Sequence, residues 1–107
     1  MPIDLTKENC DAEVKESDLP VVVDFWGPAC GPCMALMPKF LEIAEKYDGK
    51  VKFCKVDTSQ NKRVAINFKV MSLPTILFWK GRTEFARLGG TDATPEGITA
   101  KIEAMLR

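Results

Sequence analysis

Hydrophobic positions follow two different periods along this chain, and the alternation predicts strands separated by helices. Continuous β-branched and aromatic runs are typical of buried strands. They predict strands at Val21–Trp26, residues 51–56 and Thr75–Lys80, with shorter ones at residues 3–5 and 83–88. Gly81-Arg82 between the last two runs predicts a hairpin turn.

Apolar residues three and four positions apart predict four helices between and after these strands. Thr6, Ser59 and Thr94 are placed to cap three of them. Pro95 suits the first position of the last helix. The longest helix follows Cys33 and should end at Asp48-Gly49. The predicted inward positions of the longest and the last helix are Leu36, Met37, Phe40, Leu41, Ile43, Ala44, Tyr47, Ile98, Ile102, Met105 and Leu106.

The order of these elements predicts an α/β fold. Strand–helix–strand units imply parallel pairing, and the late hairpin adds antiparallel strands. We therefore expect a central mixed sheet of about five strands with helices on both faces. Residues 1–107 should form a single domain, since folding at this length buries roughly two-thirds of the chain's surface.

The charge balance narrows the functions that are open to the chain. Lys and Arg number 15, as do Asp and Glu, and there is no His. Without net charge, no overall field attracts nucleic acid or an anionic membrane. Without His, Ser-His and Cys-His catalysis within the chain and any His-bearing zinc site are excluded. The first residues carry no signal-peptide pattern, and no apolar run approaches the ~20 residues that span a bilayer, so we expect a cytoplasmic protein.

The segment Cys30-Gly31-Pro32-Cys33 lies between a predicted buried strand and the longest helix. Its spacing lets two sulfurs meet across the first helical turn. A helix N-terminus offers unpaired N–H groups and a partial positive charge, which favour a thiolate. Thiols in motifs of this spacing have pKa values of about 3.5–7.5, which suits thiol–disulfide exchange. Pro32 fits the first turn because its missing N–H is not needed there.

Two alternatives to redox chemistry remain open for these cysteines. A Cys pair of this spacing can be half of a zinc or iron–sulfur site, which would require two further soft ligands. It can also be two small buried hydrophobes. The remaining cysteines, Cys10 and Cys54, are isolated and lie on predicted core faces. We interpret them as buried hydrophobes, with a regulatory second thiol as the alternative.

Asp24 and Pro74 break otherwise apolar patterns. Asp24 interrupts a strand that should be buried on both faces, where an unpaired ionised carboxylate costs several kcal/mol. Either its pKa is raised and it accepts the proton of the second thiol, or it is a structural Asp bonded to the backbone. Pro74 directly precedes a strand. By itself it predicts a trans bond that ends a loop, since only ~5% of X–Pro bonds are cis.

Together these features resemble the thioredoxin family over essentially the whole chain. The matching stretches are Val23-Asp24-Phe25-Trp26, Cys30-Gly31-Pro32-Cys33, Pro38, Lys55-Val56-Asp57, Val70-Met71-Ser72-Leu73-Pro74-Thr75, Lys80-Gly81 and Gly89. The resemblance implies a three-layer α/β/α sandwich that reduces protein disulfides through a reversible Cys30–Cys33 disulfide. It also implies no bound cofactor and a thioredoxin reductase as the electron source. Nothing in the sequence indicates an obligate oligomer, so we expect a monomer.

The resemblance assigns a role to each matching residue. Cys30 is expected to be the exposed nucleophile and Cys33 the buried resolving thiol. Asp24 would accept the proton of Cys33, with Lys55 as its charged neighbour. Pro74 would be cis and face the disulfide. The other expected site residues are Leu73, Ala29, Gly31, Pro32, Gly89 and Gly90 around a shallow substrate groove, with Trp26 beneath the site and Pro38 inside the helix, where it should cause a kink.

The sequence departs from the family pattern on both sides of the motif. The family usually has Trp before the first Cys and a basic residue after the second, and here these are Ala29 and Met34. The changes remove an aromatic contact for partners and some positive potential. Two alternative functions therefore accompany the general reductase: a redox donor dedicated to one partner, and a binding module with incidental redox activity.

Overall fold

The computed structural model describes all 107 residues and contains one central sheet with helices on both faces. The strands are β1 Ile3–Asp4, β2 Val21–Trp26, β3 Lys52–Asp57, β4 Thr75–Lys80 and β5 Thr83–Gly89. The α-helices are α1 Gly31–Lys46, α2 Lys62–Asn67 and α3 Pro95–Leu106, preceded by a π-helical turn at Asp11–Lys15. A short 3-10 turn covers Gly90–Asp92. The predicted three-layer α/β/α class is confirmed.

The sheet is mixed, with strand order β1-β3-β2-β4-β5. β1, β3 and β2 are parallel, whereas β4 and β5 are antiparallel to their neighbours. β2 is therefore central, and its last residue Trp26 is in register with Asp57 at the end of β3. The chain leaves both strands at this edge of the sheet. None of the helices is long and apolar enough to cross a membrane.

Two apolar clusters fill the space on the two faces of the sheet. Val22 belongs to the cluster that includes Phe40 of α1 and Ile98 of α3. Val21 and Val23 belong to the other cluster, which includes the turn before β2 and the buried side of α2. Because side chains alternate along a strand, Asp24 shares its face with Val22, the face that α1 covers.

Capping was predicted correctly for one helix and incorrectly for two. Thr6 does not cap the π-helical turn, whose N-cap is Cys10, and its Oγ1 instead accepts a hydrogen bond from the Glu8 N–H at 3.3 Å. Thr94 caps α3, and its Oγ1 accepts a hydrogen bond from the Gly97 N–H at 3.0 Å. Ser59 does not cap α2, which begins after Asn61. Instead, the N–H and hydroxyl of Ser59 both donate to Asp57 Oδ1, at 2.9 and 2.6 Å. A carboxylate two residues earlier therefore holds this side chain in a local turn.

The predicted apolar stripes were slightly too wide. Leu41 in α1 and Leu106 in α3 lie on solvent-facing positions, with 37% and 39% of their surfaces exposed. The sheet covers a narrower arc of each helix than the predicted stripe. Helix α1 also ends at Lys46, before Asp48-Gly49, and Tyr47 closes it with a buried ring.

Candidate active site at the start of helix α1

The cysteine motif lies at the junction between β2 and α1. After β2, the Cys30 N–H donates to the Gly27 carbonyl at 3.0 Å and closes a turn. Cys30 is the N-cap of α1, and its sulfur accepts a hydrogen bond from the Cys33 N–H at 3.2 Å. The two sulfurs are bonded and the Cα atoms are 5.3 Å apart, so this is the oxidised protein. The helix N-terminus thus holds the sulfur of Cys30 directly against a backbone donor.

The two cysteines differ in their access to solvent. Cys33 is completely buried, whereas Cys30 is half-buried at the surface. The first turn of α1 contains no acidic residue that would offset the partial positive charge of the helix terminus. Cys30 is therefore the sulfur that a second molecule can reach, and its surroundings favour a thiolate.

Asp24 is completely buried beneath this junction, and neither of its carboxylate oxygens has a hydrogen-bond partner. Burial raises its pKa to about 7, while the charge of Lys55 lowers the pKa against this effect. The alternative of an Asp bonded to the backbone is therefore wrong. With this raised pKa, the carboxyl group gains or loses its proton near neutral pH.

Lys55 is the charged neighbour of Asp24 on the sheet. Lys55 is in register with Asp24 across β2 and β3. Its Nζ lies 3.5 Å from Asp4 Oδ1 and 5.9 Å from the centroid of the Trp26 ring. The direct ion pair of Lys55 is therefore with Asp4. The charge of Lys55 lowers the pKa of Asp24, but the larger effect of burial keeps that pKa raised.

The loop before β4 lies beside the C-terminal end of β5. The Leu73–Pro74 bond is cis. The Pro74 carbonyl accepts a hydrogen bond from the Gly90 N–H at 3.2 Å, and Gly89 is in register with Thr75. Gly90 has a φ of +58°, a conformation that favours glycine. The two glycines are thus adjacent to Pro74.

A shallow pocket of about 420 Å³ opens beside Cys30. It is lined by Gly27, Pro28, Ala29, Cys30, Thr58, Ser59, Lys62 and Leu73. A Cβ atom at Gly27 would lie 3.3 Å from Leu73 Cδ1, so glycine allows the two loops to pack closely here. Gly89 and Gly90 do not line this pocket and lie instead on the Pro74 side.

Three residues of this pocket were not predicted from the sequence as site residues: Thr58, Ser59 and Lys62. They follow β3, far along the chain from the cysteine motif. Parallel pairing of β2 and β3 brings the two segments together, and the Thr58 N–H and Oγ1 both donate to the Trp26 carbonyl, at 2.9 and 3.0 Å. The only available signal was that both segments follow parallel strands and so leave the sheet at one edge.

Cys10 and Cys54 are free and buried in the cluster opposite α1. Burial raises the pKa of the Cys54 thiol to about 12 and also raises that of Cys10. Both environments favour the protonated thiol over the thiolate. No group of three or more His, Cys, Asp and Glu side chains is arranged to hold a metal ion.

A reversible disulfide at a helix N-terminus, with one accessible and one buried sulfur, defines a thiol–disulfide oxidoreductase on an α/β/α sandwich. Comparison with known proteins gives the family. The family model described as "Thioredoxin" matches residues 1–104. The chain belongs to the thioredoxin family.

The chain is similar to curated thioredoxins over most of their length. The chain is 43% identical over 100 residues to a thioredoxin of Peptoclostridium acidaminophilum, which covers 94% of this chain and 91% of the relative. It is 39% identical over 104 residues to a thioredoxin of Acetoanaerobium sticklandii, covering 97% and 95%. Thioredoxin 1 of a Nostoc species is 46% identical over 77 residues, or 72% of each chain.

Proposed function

We propose that this protein reduces disulfide bonds of other proteins, with Cys30 as the attacking thiol and Cys33 as the resolving thiol. The observation that carries these roles is the difference in access: Cys30 is half-buried at the surface, whereas Cys33 is completely buried. A substrate sulfur can approach only Cys30. Cys33, three residues along the helix, can reach only the sulfur of Cys30.

The first step forms a mixed disulfide. The Cys30 thiolate attacks one sulfur of the substrate disulfide, a new S–S bond forms and the substrate bond breaks. The second substrate sulfur leaves as a thiolate and takes a proton from solvent. The Cys33 N–H, which donates to the sulfur of Cys30 at 3.2 Å in the oxidised protein, favours a negative charge on that sulfur.

The second step releases the substrate. The Cys33 thiol gives its proton to the Asp24 carboxylate, and the resulting thiolate attacks the sulfur of Cys30. The Cys30–Cys33 disulfide forms, and the substrate sulfur leaves and is protonated. In sum, two electrons move from the two cysteines to the substrate, the proton of Cys33 goes to Asp24, and the two substrate thiolates take their protons from solvent. Because burial raises the pKa of Asp24 to about 7, the carboxylate can both take up and return the proton at neutral pH.

We propose that the substrate chain lies across the surface formed by the motif and the cis-Pro74 loop. Gly89 and Gly90 are adjacent to Pro74, and Leu73 lines the pocket beside Cys30. The exposed Ala29, Gly31 and Pro32 surround the reactive sulfur, so a partner meets little steric hindrance there. Lys55 Nζ lies 5.9 Å from the centroid of the Trp26 ring, and Pro38 lies further along α1. We propose that Trp26 and Lys55 support this surface from below.

The wider setting of the reaction follows from its electron balance. Each turnover leaves the protein oxidised, so a reductase must return two electrons, and a thioredoxin reductase is the proposed source. The protein itself needs no bound cofactor, because the disulfide carries the electrons. We place this activity in the cytoplasm, where the reducing poise keeps thiols reduced. We expect residues 1–107 to act as one domain and as a monomer.

Replacing each cysteine separately tests these roles. With Cys33→Ser, the second step is blocked, so mixed disulfides through Cys30 should accumulate when the reduced protein meets disulfide-containing proteins. With Cys30→Ser, reduction should cease and no adduct should form. Mass spectrometry of the trapped adducts identifies the linked cysteine and the partners.

Adducts linked through Cys33, or reductase activity that survives Cys30→Ser, would contradict the mechanism. A binding module makes a different prediction, namely that partner affinity is unchanged when both cysteines are replaced by serine. Purified double-serine protein therefore serves as the control in the same capture experiment.

A further inference from the structure

The pocket beside Cys30 continues into a second pocket of about 290 Å³ along the start of α2. The two pockets share Thr58, Lys62 and Leu73. We call the combined depression the α2 trough. Beyond the shared residues, its far end is lined by Ala65, Ile66, Val70, Met71 and Ser72. It therefore leads from the reactive sulfur to a separate apolar surface.

The far end of the α2 trough exposes two large apolar side chains. Ile66 is 68% exposed and Met71 is 94% exposed. Both side chains are far more exposed to solvent than the apolar side chains of the two core clusters. Adjacent exposed apolar side chains mark interaction surfaces more often than isolated ones do, and methionine adapts its shape to different partners.

The middle of the α2 trough carries a single uncompensated charge. Lys62 is exposed and has no carboxylate within 4 Å. No Asp or Glu lines either pocket. The positive charge thus lines the depression without a direct ion-pair partner, although the chain as a whole has no net charge.

Near Cys30 the α2 trough is kept open by small side chains. Gly27 and Ala29 line this end, and neither extends beyond a methyl group. A substrate residue next to the reactive cysteine can therefore enter the depression, and the chain that follows is led towards Lys62.

We propose that the α2 trough binds the segment of the substrate protein that flanks its reactive cysteine, and that it selects segments with a carboxylate opposite Lys62 and a large apolar residue against Ile66 and Met71. The inference rests on the proposed function, because the attack by Cys30 fixes the substrate cysteine at one end. Charge complementarity at Lys62 and continuity with the reactive sulfur identify the occupant as an acidic and apolar peptide segment.

Synthetic peptide disulfides test the charge preference. The peptides carry one Glu at successive positions on either side of the cysteine, with matched Gln and Lys versions. The reduced protein should reduce the best Glu peptide about two- to five-fold faster than its Lys version, the range for an exposed ion pair. The preference should vanish with Lys62→Gln, reverse with Lys62→Glu and weaken at high salt.

Lys50→Gln is the matched control. Lys50 is also exposed and unpaired, but it precedes β3 at the opposite edge of the sheet. This variant should keep the wild-type preference. A second variant, Ile66→Ser, tests the far end: it should slow reduction of peptides with Leu there about three-fold and leave the matched Ser peptides unchanged.

A neutral small disulfide, bis(2-hydroxyethyl) disulfide, separates the two proposals. Suppose that the wild-type protein reduces this small disulfide but does not prefer the Glu peptides. The α2 trough proposal is then wrong, and the proposed function stands. If the wild-type protein reduces neither the small disulfide nor any peptide, the proposed function itself fails. A Glu preference that persists unchanged in Lys62→Gln would also overturn the role of Lys62.

Discussion

Cys30 and Cys54 place the same side chain in two contrasting positions of one sheet. Cys30 follows the end of β2 and caps a helix, where the residue is half-buried and its sulfur accepts a backbone hydrogen bond. Cys54 lies in the middle of β3, in register with Ile3 on one side and Val23 on the other, and is completely buried.

The difference shows that location within an element decides whether a thiol reacts. At the end of a strand and the start of a helix, a sulfur finds unpaired N–H groups and solvent. In the middle of a strand, every backbone donor is used by the ladder and the thiol meets only apolar neighbours. Asp24 is also completely buried, on the opposite face of the sheet, and burial favours the protonated form of both groups.

The largest expected effect is in alkylation of the fully reduced protein. At pH 8, a thiol with a pKa of about 12 is thiolate in only about one molecule in 10⁴, whereas an ordinary thiol is about one-quarter thiolate. Iodoacetamide should therefore modify Cys30 on the order of 10³-fold faster than Cys54, or more. Peptide mass spectrometry over a time course gives both rates.

Unfolding the protein in urea is the control for this comparison, because it should make the rates converge. If Cys54 reacts in the folded protein at a rate similar to Cys30, the contrast fails. Cys54 would then qualify as the regulatory thiol that the sequence left open.

The second effect concerns the buried carboxyl group of Asp24 and the pH dependence of stability. The pKa of Asp24 is about 7 in the folded protein against 3.8 in the unfolded chain. The folded state therefore binds the proton more tightly, and its stability falls as pH rises from about 4 to above 7. A shift of about three pKa units corresponds to about 4 kcal/mol.

Asp24→Ala should remove this pH-dependent loss. At pH 8, the variant should be about 2–4 kcal/mol more stable than the wild type, after the cost of the small cavity, and the gain should vanish near pH 4. Urea unfolding at both pH values measures the change. The exposed Asp48→Ala variant is the control and should show no such gain. A wild-type stability that stays level between pH 4 and 8 would show that Asp24 is not desolvated.

The same contrast between local and distant contacts explains how much the sequence could predict. The cysteine motif, the Thr94 cap and the central strands depend on neighbouring residues, and they were predicted correctly. Ser59 was predicted as a cap because its hydroxyl suits that position, but Asp57 two residues earlier holds it in a turn. Local propensity does not distinguish these two hydrogen bonds in advance.

Features that depend on three-dimensional packing were less predictable. Leu41 fits a helical stripe, but the sheet covers less of α1 than the stripe suggests, which leaves this side chain 37% exposed. Lys62 carries no signal in the sequence beyond a positive charge at a helix start. Its place in the α2 trough depends on the pairing of β2 with β3, which joins loops far apart in the chain.

The smallest expected effect tests whether Cys54 serves only as core filling. Cys54→Ser places a hydroxyl among apolar side chains and should lower the free energy of unfolding by about 1–3 kcal/mol. Cys54→Ala only removes the sulfur and should cost about 1 kcal/mol.

Both variants should retain the wild-type rate of disulfide reduction at temperatures where they remain folded, because the Cys54 thiol stays protonated and takes no part in exchange. Urea unfolding and a reduction assay on the same samples separate the two properties. If Cys54→Ala slowed reduction without lowering stability, the middle of β3 would contribute to the chemistry after all, and the contrast with Cys30 would no longer hold.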